Sequence, residues 1–504
     1  MEPRAPAYHH PMLVFLRDRL NRPVVAVVAV GLLAGVLRFT HLGFPERRIF
    51  DEYYYPKSAC IYLGYSDARC DINSSAERYW RTARDDTGAW VHPPLGKWMI
   101  AAGELAYGTD SFGWRVSSAV TGTLSVVALA MIAQLLFGSP VWTFVAGLLL
   151  ATENLNFVQS RTSMLDIFVT FWILVGFLLL LLDRRWIDRR TPDTERMPEP
   201  AEAMEADDTS ALAVADRVER RFPQPLWRPW RFAAGVAFGC AFATKWSGIT
   251  AIMGAVVLAF AWEVVRRKGR HISHPFWRTL QIETFGLVLA FLAVPALVYV
   301  VSYVGWFVHF GFHLGAWADM QGAALSFQEH LTSIDPVTHQ PIHPYLAQAW
   351  KWILLWRPVL YFTASPSSGV RQVIYANGNP AIFWGAIVAI PYTAFTWWRT
   401  RDWRAGFVVV AVLFLYVPWL FVSRPQFFFY ATPITPFFVL ACVYAIRHLS
   451  EITISGATTH PYVPVAVAFV VVSVGLFIFF WPVMTGAPIT DAAFKLRAWF
   501  PSWI

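Results

Sequence analysis

The stretch Arg48-Ile49-Phe50-Asp51-Glu52-Tyr53-Tyr54-Tyr55-Pro56-Lys57 follows the first long apolar run of the chain and sets two adjacent carboxylates beside it. An ionised carboxylate at a membrane edge needs water, a partner or a chemical task. Asp51 reads as a catalytic base, and Glu52 as its neighbour that orients a cation or an acceptor backbone. Further ionisable residues stand near the ends of other apolar runs: His92 and Lys97 in His-Pro-Pro-Leu-Gly-Lys, Arg161 with Asp166, Lys245-Trp246, Arg357-Pro358 and Arg424. One or two acids among several cations at a membrane surface suit transfer from a lipid phosphate. The cations neutralise the phosphate leaving group, and the acid takes the proton of an incoming hydroxyl. Each residue also has a plainer reading, as a carboxylate paired with a nearby arginine or a long cation snorkelling to headgroups. Their convergence on one side of the apolar runs favours chemistry.

The elements that must position these residues are membrane spans. With 56% hydrophobic, 16% aromatic and only 15% charged residues, the chain is far more apolar than a soluble domain. Apolar runs near the length needed to cross a bilayer fall at 24–40, 114–137, 141–154, 166–182, 232–244, 249–265, 285–304, 381–397, 407–422, 427–445 and 463–480. The expected fold is an all-α polytopic membrane protein of about eleven transmembrane helices, with a juxtamembrane helix over 95–107 in the first polar loop. Arginine-rich segments place the N-terminus, 183–231, 266–282, 398–406 and 446–462 in the cytoplasm. The segments 41–113, 155–165, 245–248, 305–380 and 423–426 and the C-terminus then fall outside, with the candidate residues. The organisation is a cytoplasmic tail 1–23, a span region 24–182, a charged loop 183–231 too polar to build a core, and a second span region 232–504. The tail enters the first span without a small-residue cleavage pattern and reads as a retained signal anchor.

A net charge of +8 is accounted for by this loop asymmetry, which excludes nucleic acid as the natural partner. Cys60 and Cys70 share the first outside loop and can form a disulfide there, while Cys240 and Cys442 lie in apolar runs. Asp85-Asp86 and the histidines of 305–380 lack compact ligand spacing, so no metal is expected.

Several motifs occur in one order: Ile49-Phe50-Asp51-Glu52, His92-Pro93-Pro94-Leu95-Gly96-Lys97, Trp114-Arg115-Val116-Ser117-Ser118-Ala119, Ser160-Arg161 with Leu165-Asp166, and Thr244-Lys245-Trp246. They continue in His343-Pro344-Tyr345, Trp356-Arg357-Pro358 with Tyr361, and Gly378-Asn379-Pro380. The set resembles the protein O-mannosyltransferase family in its bacterial, actinobacterial form, over about residues 38–440. The resemblance implies a GT-C glycosyltransferase fold and transfer of mannose from polyprenyl-phosphate-mannose to Ser or Thr of exported proteins at the outer face of the cell membrane. It implies a lipid-linked donor as substrate with no cofactor, and possible coupling to the export machinery. Asp51 and Glu52 match the family's acidic catalytic positions, and Arg115 an arginine the family requires. His92, Lys97, Arg161, Asp166, Lys245, His343 and Arg357 match motif positions, and Lys245, Arg115 and Arg424 are the candidates to hold the phosphate. The eukaryotic branch's β-trefoil domain has no room in 305–347. Two rival readings are another GT-C polyprenyl-phosphate-sugar transferase and a transporter. A transporter would place ionisable residues at span centres rather than ends.

Overall fold

The computed structural model describes residues 22–73, 91–190, 224–335, 338–453 and 460–503. Most of the tail 1–23, Asp85-Asp86 and the middle of the charged loop, 191–223, lie outside the described residues. Helix α1 (Pro23–Phe39) begins on a proline, where a missing N–H costs nothing. The first polar segment folds into a 3-10 turn (Phe50–Tyr53) and three helices, α2 (Tyr55–Tyr62), α3 (Asp67–Cys70) and α4 (Leu95–Tyr107). Helix α5 (Ser111–Phe137) starts where Asp110 Oδ1 accepts the Gly113 N–H at 2.8 Å, and it stops at Gly138, whose φ of +64° suits a residue without Cβ. Then come α6 (Pro140–Ala151), the short α7 (Asn154–Gln159) and α8 (Leu165–Arg190).

The second half opens with α9 (Pro229–Thr244) and α10 (Ile249–Lys268). Helices α11 (Pro275–Val288) and α12 (Val294–Ser302) form one rod through a π turn at Leu289–Ala293. That turn stands just before Pro295, which has no N–H to give the ladder. Next are α13 (Val304–Phe310), α14 (Leu314–His330), α15 (Pro380–Thr400), α16 (Trp403–Tyr416), α17 (Thr435–Ser450), α18 (Val463–Thr485) and α19 (Asp491–Arg497).

Among the described residues, seven helical segments are long and apolar enough to cross a membrane, from Ser111–Phe137 to Val463–Thr485, and three shorter apolar helices accompany them. The protein is a multi-pass membrane protein. Its core is aromatic: the buried Phe177 ring meets Phe238, Phe407 and Phe437 edge-on at 5.1, 5.6 and 5.3 Å.

Three features depart from the all-helical expectation and its boundaries. The segment 305–380 carries a β-hairpin, β1 (Val359–Ser367) and β2 (Val370–Ala376), to which the C-terminal β3 (Ile489–Thr490) pairs antiparallel. Its strands are buried where they leave and rejoin the bundle, at Val359, Tyr361, Phe362 and residues 373–376, and more exposed toward the turn, so the period-2 burial that marks a strand in sequence is missing. Helix α11 begins inside 266–282, read as loop, because its polar Glu283 is buried in an ion pair rather than solvated. The loop 183–231 narrows likewise: α8 continues to Arg190, and Arg228 and Arg231 are buried.

Those arginines belong to an ion cluster that ties four helices at the bundle end away from the hairpin. Arg228 bonds Asp183 and, at 2.6 Å, Glu263, while Arg231 meets Glu283 at 2.7 Å. Arg267 bridges Glu263 and Glu283 at 3.3 and 3.1 Å. Three buried acids thus face three buried arginines, the balance that a low-dielectric site demands.

Candidate active site

Helices α8 and α9 pack antiparallel, and at their other shared end Lys245 Nζ meets Asp166 at 2.8 and 3.1 Å, both residues buried. The end of α4 reaches this place because Gly96 carries no side chain. A Cβ there would stand 2.7 Å from Leu165 and 2.8 Å from Thr244, one residue from each partner of the ion pair.

Asp51 sits in the 3-10 turn beside that pair, only partly exposed. Burial lifts its carboxyl from 3.8 to about 7; Lys245 pulls it down, Asp166 pushes it up, and the Tyr55 hydroxyl, donating to it, favours the ionised form. The preceding Phe50 holds φ at +48°, an uncommon backbone for a side chain of that size. Aromatic contacts fix it: the ring stacks on Tyr361 at 4.6 Å and meets Phe429 edge-on at 5.5 Å. Tyr361 is in turn held by the Gln159 amide, which donates to its hydroxyl at 2.8 Å, and burial, helped by the charges of Asp51 and Asp166, makes that hydroxyl harder to ionise.

Glu52 has a different fate. Its Oε1 accepts from Arg115 Nε at 2.8 Å and the Ser163 N–H at 2.9 Å, and its Oε2 from Arg115 Nη2 at 2.8 Å and the Ile49 N–H at 3.1 Å. Arg115 spends its remaining donors on the carbonyls of Leu42, Pro45 and Arg47 at 3.3, 3.0 and 3.0 Å. Both side chains are fully buried. Glu52 therefore orients a cation and leaves the proton-transfer set. Arg115 has no N–H left for a phosphate, and its place among the phosphate candidates is withdrawn.

Arg161 is likewise occupied. Its guanidinium caps the C-terminal carbonyls of α1, donating to Arg38, Thr40 and His41 at 2.9, 2.5 and 3.1 Å. Arg357 donates to the carbonyls of Pro344 and Ser502 at 2.9 and 3.0 Å and so fastens the C-terminal segment to the hairpin end. His343 packs edge-on against Phe50 at 6.4 Å and Phe427 at 5.1 Å, supporting the aromatic cage from behind.

The residues that do converge are His92, Lys245 and Arg424, which line a cavity of about 460 Å³ with Trp246, Ser247, Thr250, Gln328 and Trp419. Burial and the charges of Lys245, Lys97 and Arg424 hold His92 well below its ordinary value, so its ring is neutral near pH 7. Burial also lowers Lys97 to about 7, and its ammonium donates to the His92 carbonyl at 3.1 Å. Lys245 lies 4.2 Å from the Tyr430 ring centre, and Arg424 bonds the Gln328 side chain. Cys60 and Cys70 are joined in a disulfide, and among the described residues no three His, Cys, Asp or Glu side chains form a metal cluster.

Three supporting residues are not singled out for the site from sequence, Gln159, Tyr430 and Gln328, whereas Tyr55 stands in the opening stretch that carries Asp51. Tyr55 carried a signal, since a tyrosine four positions after an acid shares one side of a helical turn with it. Gln159, Tyr430 and Gln328 arrive from distant segments and carried none.

A model of the dolichyl-phosphate-mannose-protein mannosyltransferase family matches residues 28–194, and one of the C-terminal four TMM region of protein-O-mannosyltransferase matches 313–503. A polyprenol-phosphate-mannose–protein mannosyltransferase of Mycolicibacterium smegmatis is 30% identical over 514 residues, covering 94% of this chain and 92% of that protein. Its namesake in Mycobacterium tuberculosis is 29% identical, covering 97% and 98% of the two chains. The fold matches the Saccharomyces cerevisiae protein O-mannosyltransferase Pmt1-Pmt2 complex bound to the sugar donor, with a TM-score of 0.71 at 13% identity over 96% of this chain and 92% of that one. The architecture is thus of the GT-C type, and the chain belongs to the protein O-mannosyltransferase family as a membrane glycosyltransferase.

Proposed function

We propose that the protein transfers mannose from polyprenyl-phosphate-mannose to Ser or Thr hydroxyls of exported proteins in one inverting displacement. The observation that carries the mechanism is the pairing of a partly exposed carboxyl poised near neutrality, Asp51, with Lys245, a cation whose charge acts on it and which lines the cavity with His92 and Arg424. Asp51 accepts the proton of the acceptor hydroxyl as that oxygen attacks the anomeric carbon. The bond from that carbon to the phosphate oxygen breaks, and polyprenyl phosphate departs with the electron pair. Lys245 and Arg424 take up the negative charge of the phosphate, and neutral His92 offers a hydrogen bond. Asp166 keeps Lys245 aimed while leaving the ammonium's other protons for the donor. These side chains supply all the positive charge the scheme uses, so it needs neither metal nor cofactor.

The chain crosses the cell membrane about eleven times, with its N-terminus in the cytoplasm and the site on the outer face. The ion cluster built on Arg228, Arg231 and Arg267 supports this, since arginines gather at the opposite bundle end from Asp51. Acceptors reach that face through the export machinery. The test is transfer in membranes given labelled polyprenyl-phosphate-mannose and a Ser/Thr-rich exported peptide, with the product weighed. Asp51→Asn is expected to lower transfer about 10²–10⁴-fold. A product with another sugar, or near-normal turnover in that variant, overturns the proposal.

A further inference from the structure

A second cavity, of about 740 Å³, lies beside the first polar segment and shares no lining residue with the one just described. Its walls include Glu46, Arg47, Arg48, Arg69, Asp71 and Trp114. The mechanism uses none of them. Two polar atoms here lack a partner among the described residues: Trp114 Nε1, on a residue only 5% exposed, and Arg48 Nε. Among the described residues the Arg47 side chain makes only a long bond, to the Thr363 carbonyl at 3.4 Å, and lies over the Phe362 ring, while Arg69 lies 3.6 Å from the Tyr65 ring centre. Neither has a carboxylate partner among the described residues. Asp71 is taken by Arg48 at 2.9 Å, and Asp110, also on the wall, is taken by the Gly113 N–H.

Glu104, within electrostatic reach of Arg48 and Arg69, is buried, and neither of its carboxylate oxygens has a hydrogen-bond partner among the described residues. Burial raises it to about 8, against the pull of Arg48 and Arg69, so near pH 7 it does not neutralise them. What remains is a set of donors around Arg47, Arg48, Arg69 and Trp114, with two wall carboxylates, Glu46 and Asp110, that form no ion pair among the described residues; Asp110 caps α5 through the Gly113 N–H, which leaves Glu46 as the uncommitted carboxylate. The donors fit a phosphate and the carboxylate fits an ammonium.

The cavity caps a seam between two spans. Gly31 of α1 approaches Val127 of α5, and Gly35 approaches Thr123, so the helices run antiparallel. Above that seam Gly43 meets Ser111 and Phe112 on the cavity wall. In an antiparallel pair the residues one step beyond the contact positions fall on the same side. Those residues are Leu32, Val36, Leu124 and Ala128; Ala128 is buried, whereas the other three, with Val120, are exposed apolar side chains that a soluble surface would not carry. An apolar, lipid-facing strip thus leads up to a charged cavity.

We propose that this cavity holds the headgroup of a zwitterionic, amine-bearing phospholipid, with its phosphate on Arg47, Arg48, Arg69 and Trp114, its ammonium on Glu46, and its acyl chains along the α1–α5 seam. The test is native mass spectrometry of the full-length protein released from nanodiscs of equal phosphatidylethanolamine and phosphatidylglycerol. The wild type is expected to retain phosphatidylethanolamine in preference. Arg47→Ala with Arg69→Ala should lower retention about tenfold, and Arg47→Lys with Arg69→Lys should recover much of it, which separates lost charge from lost folding. Glu46→Gln should erase the preference between the two lipids while keeping both bound. Undiminished retention in the double alanine variant overturns the site. Equal retention of the two lipids by the wild type overturns the amine assignment. Displacement of the lipid by millimolar inorganic phosphate alone overturns the lipid assignment in favour of a free-phosphate site.

Discussion

Asp51→Asn is expected to separate stability from activity in a pH-dependent way. Burial lifts the Asp51 carboxyl from 3.8 to about 7, although Lys245 and the Tyr55 hydroxyl favour the charged form. At about 1.4 kcal/mol per tenfold change in proton affinity, that lift corresponds to about 4 kcal/mol. The folded protein holds the proton up to neutrality, whereas the unfolded chain releases it near pH 3.8. The folded state therefore binds the extra proton between those values, and stability falls as pH rises across the interval. Asparagine has the same shape and no charge, so the variant escapes this loss. Denaturant unfolding in nanodiscs should give coincident curves at about pH 4 and a variant more stable by up to about 4 kcal/mol at about pH 8. Transfer measured on the same preparations should be down about 10²–10⁴-fold. Wild-type transfer should itself rise with pH and level off above about 7, the value to which Asp51 is lifted. A variant equally stable at both pH values, or less stable at the higher one, would refute the claim that a buried charge is held there. Retained transfer would refute the base.

Glu52→Gln should behave in the opposite way, losing fold before chemistry. It leaves Arg115 buried with one fewer charge partner, at a cost of about 3–5 kcal/mol read from unfolding curves; a stable but inactive variant would return Glu52 to the chemical step. Arg424→Gln should raise KM for the lipid donor about tenfold with a smaller effect on kcat, measured in steady-state transfer, because the residue lines the donor cavity and not the carboxyl. An unchanged KM would remove it from the phosphate site. Glu263→Gln, far from the site, should lower the unfolding midpoint without changing KM, since it uncouples Arg228 and Arg267 in the opposite end of the bundle.

The spans were legible because the cost of leaving backbone polar groups unpaired in lipid permits little besides helices, and apolar runs mark them. The helix Leu95–Tyr107 was legible too, since Pro93-Pro94 stops the chain and a run of good helix formers follows. The hairpin was not. Its strands, Val359–Ser367 and Val370–Ala376, pair through register shifts, and their buried residues run consecutively rather than at every second position. The ion cluster was hidden for another reason: Asp183, Arg228, Glu263 and Glu283 lie up to 100 residues apart, and nothing local in sequence distinguishes a buried arginine from a loop arginine.

The same blindness shaped the candidate site, and there it has a physical remedy. Asp51 and Glu52 are equivalent as a sequence pair, as are Arg115, Arg161, Lys245 and Arg424 as cations near span ends. What separates them is whether their hydrogen-bonding capacity is already filled. Glu52 accepts four bonds and Arg115 donates to five acceptors, so a substrate would have to displace interactions that hold the first polar segment to α5. Arg161 is committed to the end of α1. Asp51, partly exposed and with its proton affinity poised near neutrality, is not committed in this way, and neither is the cation pair beside it, because Lys245 offers three protons and Asp166 engages it from one side only. Catalysis needs groups that are positioned yet unspent. In this fold the filled pair Glu52–Arg115 does the positioning, and it does so from the residue adjacent to the one it leaves free.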